Sequence, residues 1–233
     1  MLAVDGVADL HFGAAVDGYQ QVTRYRFSND ERLDNITDWA LGQFTTRYGA
    51  SAGITKDDIF AYVYAVLHDP VYRETYAINL KRDFPRIPFH RDFVQWRDWG
   101  QILLDLHIGY ETVRPFPLIR TDTPDEQTRA AGQTPKVILR PDRDNGIVVL
   151  DDETRLSGFP ATAWRYQLGN RSAIDWVLDQ HKEKTPKDPV IREKFNTYRF
   201  NDHKDHAIDL LRRVVTVSVR TVEITDAMQA TGR

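Results

Sequence analysis

Val137-Ile138-Leu139-Arg140-Pro141-Asp142-Arg143-Asp144-Asn145-Gly146-Ile147-Val148-Val149-Leu150 decides the fold class. Two short, β-branched apolar runs flank Asp144-Asn145-Gly146, and Asn-Gly readily adopts the positive φ of a tight turn, so the stretch predicts an antiparallel hairpin. A small antiparallel sheet in the middle of the chain follows from it. Beyond Gly109 the surroundings suit strands joined by turns, because Pro115, Pro117, Pro124 and Pro135 punctuate them. Between those prolines, Thr121 to Thr134 is polar and reads as a mobile surface loop.

Upstream of Gly109 the spacing is helical. Asn35 with Asp38 predicts the start of a helix over 36–48 that ends at Gly49. Thr55 with Asp58 predicts a second start, with Ile59, Phe60, Val63, Val66 and Leu67 as its buried stripe and Asp69-Pro70 as its end. Pro70 opens a further helix to about Asn79 or Lys81, and Phe89 to Ile108 places Phe93, Trp96, Ile102, Leu103, Leu106 and His107 near one face. Trp39, Phe60, Phe93, Trp96 and Trp176 occupy apolar positions of these helices and are expected in the core. Before them, Val22 to Phe27 reads as a strand in otherwise irregular chain.

Toward the C-terminus, Trp164 to Leu168 looks extended, and Ser172 with Asp175 predicts a helix to about His181. Ile208, Leu211, Val215, Ser218 and Val222 have helical spacing, although Val215, Val217 and Val219 also alternate as in a strand; a long final helix is preferred. The fold class is α+β, with a largely helical N-terminal half, a small antiparallel sheet in the middle and C-terminal helices. A composition shift near Gly109 is the one candidate sub-boundary.

The 233 residues, 41% of them hydrophobic, suffice for a real core. Absence of cysteine excludes disulfides, thiolate zinc sites and a cysteine nucleophile. Met1 to Leu10 has no basic flank, and no apolar run approaches the roughly 18 residues of a membrane span, so a soluble, cytoplasmic protein without a membrane partner is expected. The 31 basic and 34 acidic residues give a net charge of −3, which argues against a bulk electrostatic grip on nucleic acid. Local windows differ: Ala77 to Arg97 holds Lys81, Arg82, Arg86, Arg91 and Arg97 against Asp83 and Asp92. A second, more diluted stretch, His181 to His206, includes Lys182, Lys184, Lys187 and Arg199 among alternating acids.

Sites for chemistry are sparse. The chain has no Gly-rich loop ending in Lys-Ser/Thr, no G-x-G-x-x-G, no H-E-x-x-H and no G-x-S-x-G. His203 and His206 lie one helical turn apart and resemble half of a metal site, but a solvated helix start explains them better. Asp188, Asp202 and Lys204 have the residue types of a metal-dependent nuclease, yet Pro186 and Pro189 and the helical context argue for a chance match. Asp57 and Asp58 are helix-start acids, not a catalytic pair. No catalytic, cofactor-binding or metal-binding residue is assigned.

Several segments carry a resemblance. They are Val7-Ala8-Asp9-Leu10-His11-Phe12; Asn35 to Leu41; Ile59 to His68; Asn79-Leu80-Lys81-Arg82 with Pro85-Arg86-Ile87-Pro88; Leu156-Ser157-Gly158; Tyr166 to Val177; and Val214 to Val222. In this order they resemble the C-terminal specificity domain of type ISP single-polypeptide restriction-modification enzymes, over nearly the whole chain. Complete members join a nuclease, an ATP-driven helicase or translocase and an adenine methyltransferase to this region. The resemblance therefore implies sequence-specific recognition of double-stranded DNA, directing methylation and cleavage carried out by the other parts of the same or a companion polypeptide.

The methyltransferase's Asn-Pro-Pro-Tyr-type motif and the helicase motifs are absent, so neither S-adenosylmethionine nor ATP is expected to bind and no cofactor is assigned. Residues 1–34 would form the connection from a methyltransferase-like part and 35–233 the target-recognition domain, so Met1 falls where a fragment or a split gene would begin. Candidate DNA contacts are Lys81, Arg82, Arg86, Arg91, Asn170, Arg171, Lys182, Lys184, Lys187 and Arg199. Asn170 and Arg171 follow Gly169 at a strand-to-helix turn, where backbone N–H groups and a guanidinium converge on a phosphate. The structural alternative is that Asn170 caps the helix and Arg171 pairs with a local acid. The competing function is a coupling domain that packs on a methyltransferase or translocase with little direct DNA contact.

Overall fold

The computed structural model describes residues 3, 5, 22–184, 188–194 and 198–231, without the side chains of Thr128 and residues 192–194. The chain forms two compact units: Met1–Gly109 with Ile224–Arg233, and Tyr110–Glu223.

The first unit opens with an antiparallel hairpin of β1, Tyr25–Ser28, and β2, Glu31–Asp34. Its turn places Asn29 and Asp30 at φ 51° and 63°, a conformation that Asn and Asp tolerate better than most residues. Helix α1, Asp38–Tyr48, is capped by Thr37, whose side chain accepts from the Ala40 N–H. Asn35 does not cap it as expected, because its amide donates to the Thr23 carbonyl at 2.8 Å and closes the hairpin. Trp39 is likewise not in the core but 75% exposed, because the face of α1 that packs inward is the one carrying Leu41, Phe44 and Tyr48.

Helix α2, Lys56–His68, has the expected reciprocal cap between Thr55 and Asp58. Asp69 caps the short α3, Pro70–Thr75, which gives way to a 3-10 turn at Asn79–Lys81 in place of one continuous helix. Helix α4, Phe93–Ile108, starts four residues later than predicted, where Asp92 accepts from the Gln95 N–H. It buries Phe93, Trp96, Leu103 and Leu106, but leaves Ile102 40% exposed. α2 and α4 pack so closely that a Cβ on Gly100 would lie 1.8 Å from the Ala61 carbonyl oxygen. Phe44, Ile59, Tyr62, Val66, Tyr72 and Met228 complete this core.

In the second unit a four-stranded antiparallel sheet runs in the order β3, β6, β5, β4. The strands are β3, Ile119–Asp122; β4, Val137–Asp142; β5, Ile147–Asp151; and β6, Thr154–Ser157. The expected hairpin is β4–β5, with Asp142 opposite Ile147. Of its Asn-Gly pair only Gly146 has positive φ, at 63°; Asn145 instead bonds back to the Asp142 carboxylate through its N–H and amide. A Cβ at Gly146 would sit 2.7 Å from the Phe159 oxygen, so strand closure also requires glycine there.

Between β3 and β4 the polar stretch is not structureless: it contains the short helix α5, Glu126–Ala130. Arg129 pairs with buried Glu153 at 2.7 Å, which also accepts from the Asp125 N–H. A 3-10 turn at Ala161–Arg165 and the two-residue strands β7, Gln167–Leu168, and β8, Arg171–Ser172, lead into α6, Ala173–Gln180. Then follow α7, Pro189–Lys194, and the long α8, Phe200–Ala230. Ile174 and Leu178 of α6 and Ile208, Leu211 and Val215 of α8 meet Val148, Leu150 and Leu156 of the sheet in one core.

Candidate nucleic-acid interface

Two surfaces gather the candidate residues, one in each unit. In the first unit the chain from Tyr76 to Arg91 crosses the helical core as a strap, and tyrosines hold its main chain. The Tyr72 hydroxyl donates to the Arg86 carbonyl at 2.9 Å, Tyr62 to Pro88 at 2.7 Å and Tyr48 to His90 at 2.7 Å. The His90 N–H donates back to the Tyr62 oxygen at 2.8 Å, and its ring stacks on Trp96 at 3.7 Å between centroids. Burial raises the pKa of each of these tyrosines, so all three remain neutral donors.

With its carbonyls turned inward, the strap presents side chains to solvent. Lys81, Arg82, Arg86 and Arg91 are all exposed, and none has an acidic partner among the described residues. Arg97, from the same basic window, differs because it is held by Asp98 at 2.6 Å and Asp58 at 3.7 Å. Exposed Phe84 stands among the cations.

In the second unit an open groove runs beside the edge strand β4. Lys136, Leu139, Arg143, Asn170, Arg171, Lys182 and Arg199 line it. The strand departs from regular register between Val137 and Arg140, and buried Leu139 takes φ 47°, a local distortion that redirects the neighbouring side chains. Most of the groove's cations are paired: Arg143 with Asp175 at 2.6 Å, Arg171 with Asp179 at 3.1 Å, Lys182 with Asp179 at 3.0 Å and Arg199 with Glu183 at 3.8 Å. Lys182 and Arg171 accordingly lower the Asp179 pKa, the lysine hydrogen bond contributing most.

Arg171 thus has the local acid that the structural alternative required, and it also lies over the Trp176 ring at 5.6 Å. Asn170 does not cap α6; Ser172 does, in a reciprocal pair with Asp175, while Asn170 is exposed at the β7–β8 turn. Lys184 is exposed beyond α6, and Lys187 lies outside the described residues. The sequence reading missed Lys136 and Arg143. Arg143 was marked only by its place beside the Asp-Asn-Gly turn, and nothing local marks Lys136.

Lys204 is placed by the fold where a nuclease reading does not need it. It forms an ion pair with fully buried Asp151 at 2.6 Å and donates to the Thr154 hydroxyl at 3.2 Å. Asp151 also accepts from the Glu153 and Thr154 N–H groups, so the pair pins the β5–β6 turn to α8. Among the described residues there is no group of three or more histidines or acids suited to a metal ion, and no helix long and apolar enough to cross a membrane.

The chain thus joins an α+β fold to an exposed, main-chain-anchored basic strap in one unit and a groove beside a distorted edge strand in the other. Residues 1–210 match the family of type ISP C-terminal specificity domains, and the chain belongs to that family. Among solved structures it is similar to a chain of a DrdV–DNA complex, with 55% identity and a TM-score of 0.83, covering 90% of this chain and 21% of that one. It is also similar to a nuclease-deletion mutant of the type ISP restriction-modification enzyme LlaGI in complex with a DNA substrate mimic. There the identity is 28% and the TM-score 0.62, covering 88% of this chain and 17% of that one. The ATP-dependent type ISP enzyme LlaBIII bound to DNA shares the fold, at 24% identity and a TM-score of 0.64, covering 88% of this chain and 13% of that one. The chain thus spans about a fifth or less of the length of these structures. No protein of curated function matches it.

Proposed function

We propose that this chain recognises double-stranded DNA as the target-recognition domain of a type ISP restriction-modification system. The observation that carries the reading is the strap: Lys81, Arg82, Arg86 and Arg91 are exposed without acidic partners among the described residues, on a main chain fixed by Tyr48, Tyr62 and Tyr72. Cations already matched inside the protein have little to gain from a phosphate, whereas unmatched ones release condensed counterions from the duplex when they bind. The similar DrdV and LlaGI structures, both described as DNA complexes, support the assignment.

On this reading the strap makes phosphate contacts that position the duplex. Asn170, Arg171, Lys182, Lys184, Lys187 and Arg199 contribute from the second unit, where Arg171, Lys182 and Arg199 must exchange internal ion pairs for phosphates. Methylation, translocation and cleavage belong to methyltransferase, helicase and nuclease parts outside residues 1–233, with 1–34 as the connection and 35–233 as the recognition domain. A module that acts on such DNA works in the cytoplasm.

The second reading, a coupling domain that barely touches DNA, is favoured by the net charge of −3. Fluorescence anisotropy with a labelled duplex at low salt separates the two. Replacing Lys81, Arg82, Arg86 and Arg91 together by alanine is expected to weaken binding at least a hundredfold while leaving the melting temperature within a degree or two. Unchanged affinity in that variant favours the coupling domain.

A further inference from the structure

The sequence around the strap's most exposed aromatic residue is Arg82-Asp83-Phe84-Pro85-Arg86. Phe84 is 72% exposed, although burying so large an apolar ring is favourable. Its backbone is anchored on both sides. The Asp83 N–H donates to the Asn79 carbonyl at 2.8 Å on one side, and the Arg86 carbonyl accepts from Tyr72 at 2.9 Å on the other. Pro85 restricts the intervening backbone of Phe84 to extended conformations. The fold thus presents an apolar ring from an anchored backbone, two residues on either side from a guanidinium that has no acidic partner among the described residues.

Resting on the DNA-binding reading above, we infer that Phe84 is itself a DNA-contacting residue, packing on the deoxyribose and base surface of the duplex while Arg82 and Arg86 grip the flanking phosphates. Charge complementarity selects this occupant: a ligand for the patch must carry negative charge on both sides of an apolar surface, and a nucleic-acid backbone alternates these features. Because the strap's main chain is anchored before binding, contact by the ring costs little backbone conformational entropy. Apolar side chains set between cations serve the same purpose in other duplex binders, where they lean on or between base steps.

The test reads affinity and its salt dependence together in the 233-residue chain, by anisotropy with a labelled duplex. Loss of an apolar contact lowers affinity at every salt concentration without altering the slope of log K against log salt. Loss of a phosphate contact makes that slope shallower by about one. Phe84→Ala is therefore expected to weaken binding about tenfold with the slope preserved, Phe84→Leu to retain most of the affinity, and Arg86→Ala to flatten the slope. Since Phe84 is exposed, the alanine variant should melt with the parent.

If Phe84→Ala binds DNA as tightly as the parent while Arg86→Ala is weakened, the inference fails and the strap's grip is purely electrostatic. If the parent chain itself shows no duplex binding at low salt, the functional reading fails and takes the inference with it.

Discussion

His68 lies 4% exposed between α2 and α4, and its ring chemistry follows from that burial. Nδ1 stands 2.7 Å from the Tyr64 carbonyl, which can only accept, so Nδ1 carries the proton and the neutral ring is the fitting form. Desolvation pushes its pKa down to about 3, and nearby His107 and Arg73 act in the same direction. His107, whose Nδ1 lies 2.7 Å from the Tyr64 hydroxyl, is pushed down to about 4, again chiefly by burial. Between the ordinary histidine value near 6.5 and these lowered ones, the unfolded chain takes up protons that the folded chain refuses. Stability contributed by the two rings is therefore complete above about pH 6.5 and is lost as pH falls toward 3. From pH 7.5 to pH 5 the loss is on the order of 2 kcal/mol per histidine. A urea midpoint for the first unit that falls clearly over this interval, before most carboxylates protonate, is the expected result; a flat midpoint contradicts it.

At the scale of elements, the approach of α2 to α4 is set by a glycine. Alanine at position 100 adds helix propensity worth about 1 kcal/mol, but its Cβ meets the Ala61 carbonyl oxygen at 1.8 Å, which forces the helices apart. Gly100→Ala is expected to lower stability by about 1–3 kcal/mol. Gly42→Ala, in exposed α1 with nothing within 4 Å of the new methyl group, should raise it slightly. Thermal melting of the two variants checks both signs, and a stabilised Gly100→Ala refutes the packing argument.

The elements legible in the sequence were those with local causes. The Thr55–Asp58 and Ser172–Asp175 caps, the β4–β5 hairpin and the long α8 all rest on neighbours a few residues apart. The late start of α4 was not legible, because the preceding residues are claimed by tyrosines from α1 and α2, with Tyr48 and His90 42 positions apart. The candidate site divides in the same way. Its basic window could be read directly, but not which cations stay unmatched: Arg143 finds Asp175 32 residues away, through tertiary structure alone.

At the scale of the whole molecule, the excess of three acids shapes any grip on DNA. A domain of net charge −3 gains little from long-range attraction, so binding must come from local clusters of cations without acidic partners, of which the strap gathers four within eleven residues. Counting Lys81, Arg82, Arg86 and Arg91 as four phosphate contacts predicts a slope of log K against log salt of about −3.6 on duplex DNA. Affinity should then fall roughly a hundredfold between 50 and 200 mM salt. A slope twice as steep would mean that the groove cations give up Asp175, Asp179 and Glu183 for phosphates, and the Arg171→Ala variant would then bring it back by about one. A slope near zero, with binding intact, would remove phosphate contact from the strap altogether. Measurement across this salt range on the parent and on Arg171→Ala therefore decides which unit's cations carry the duplex.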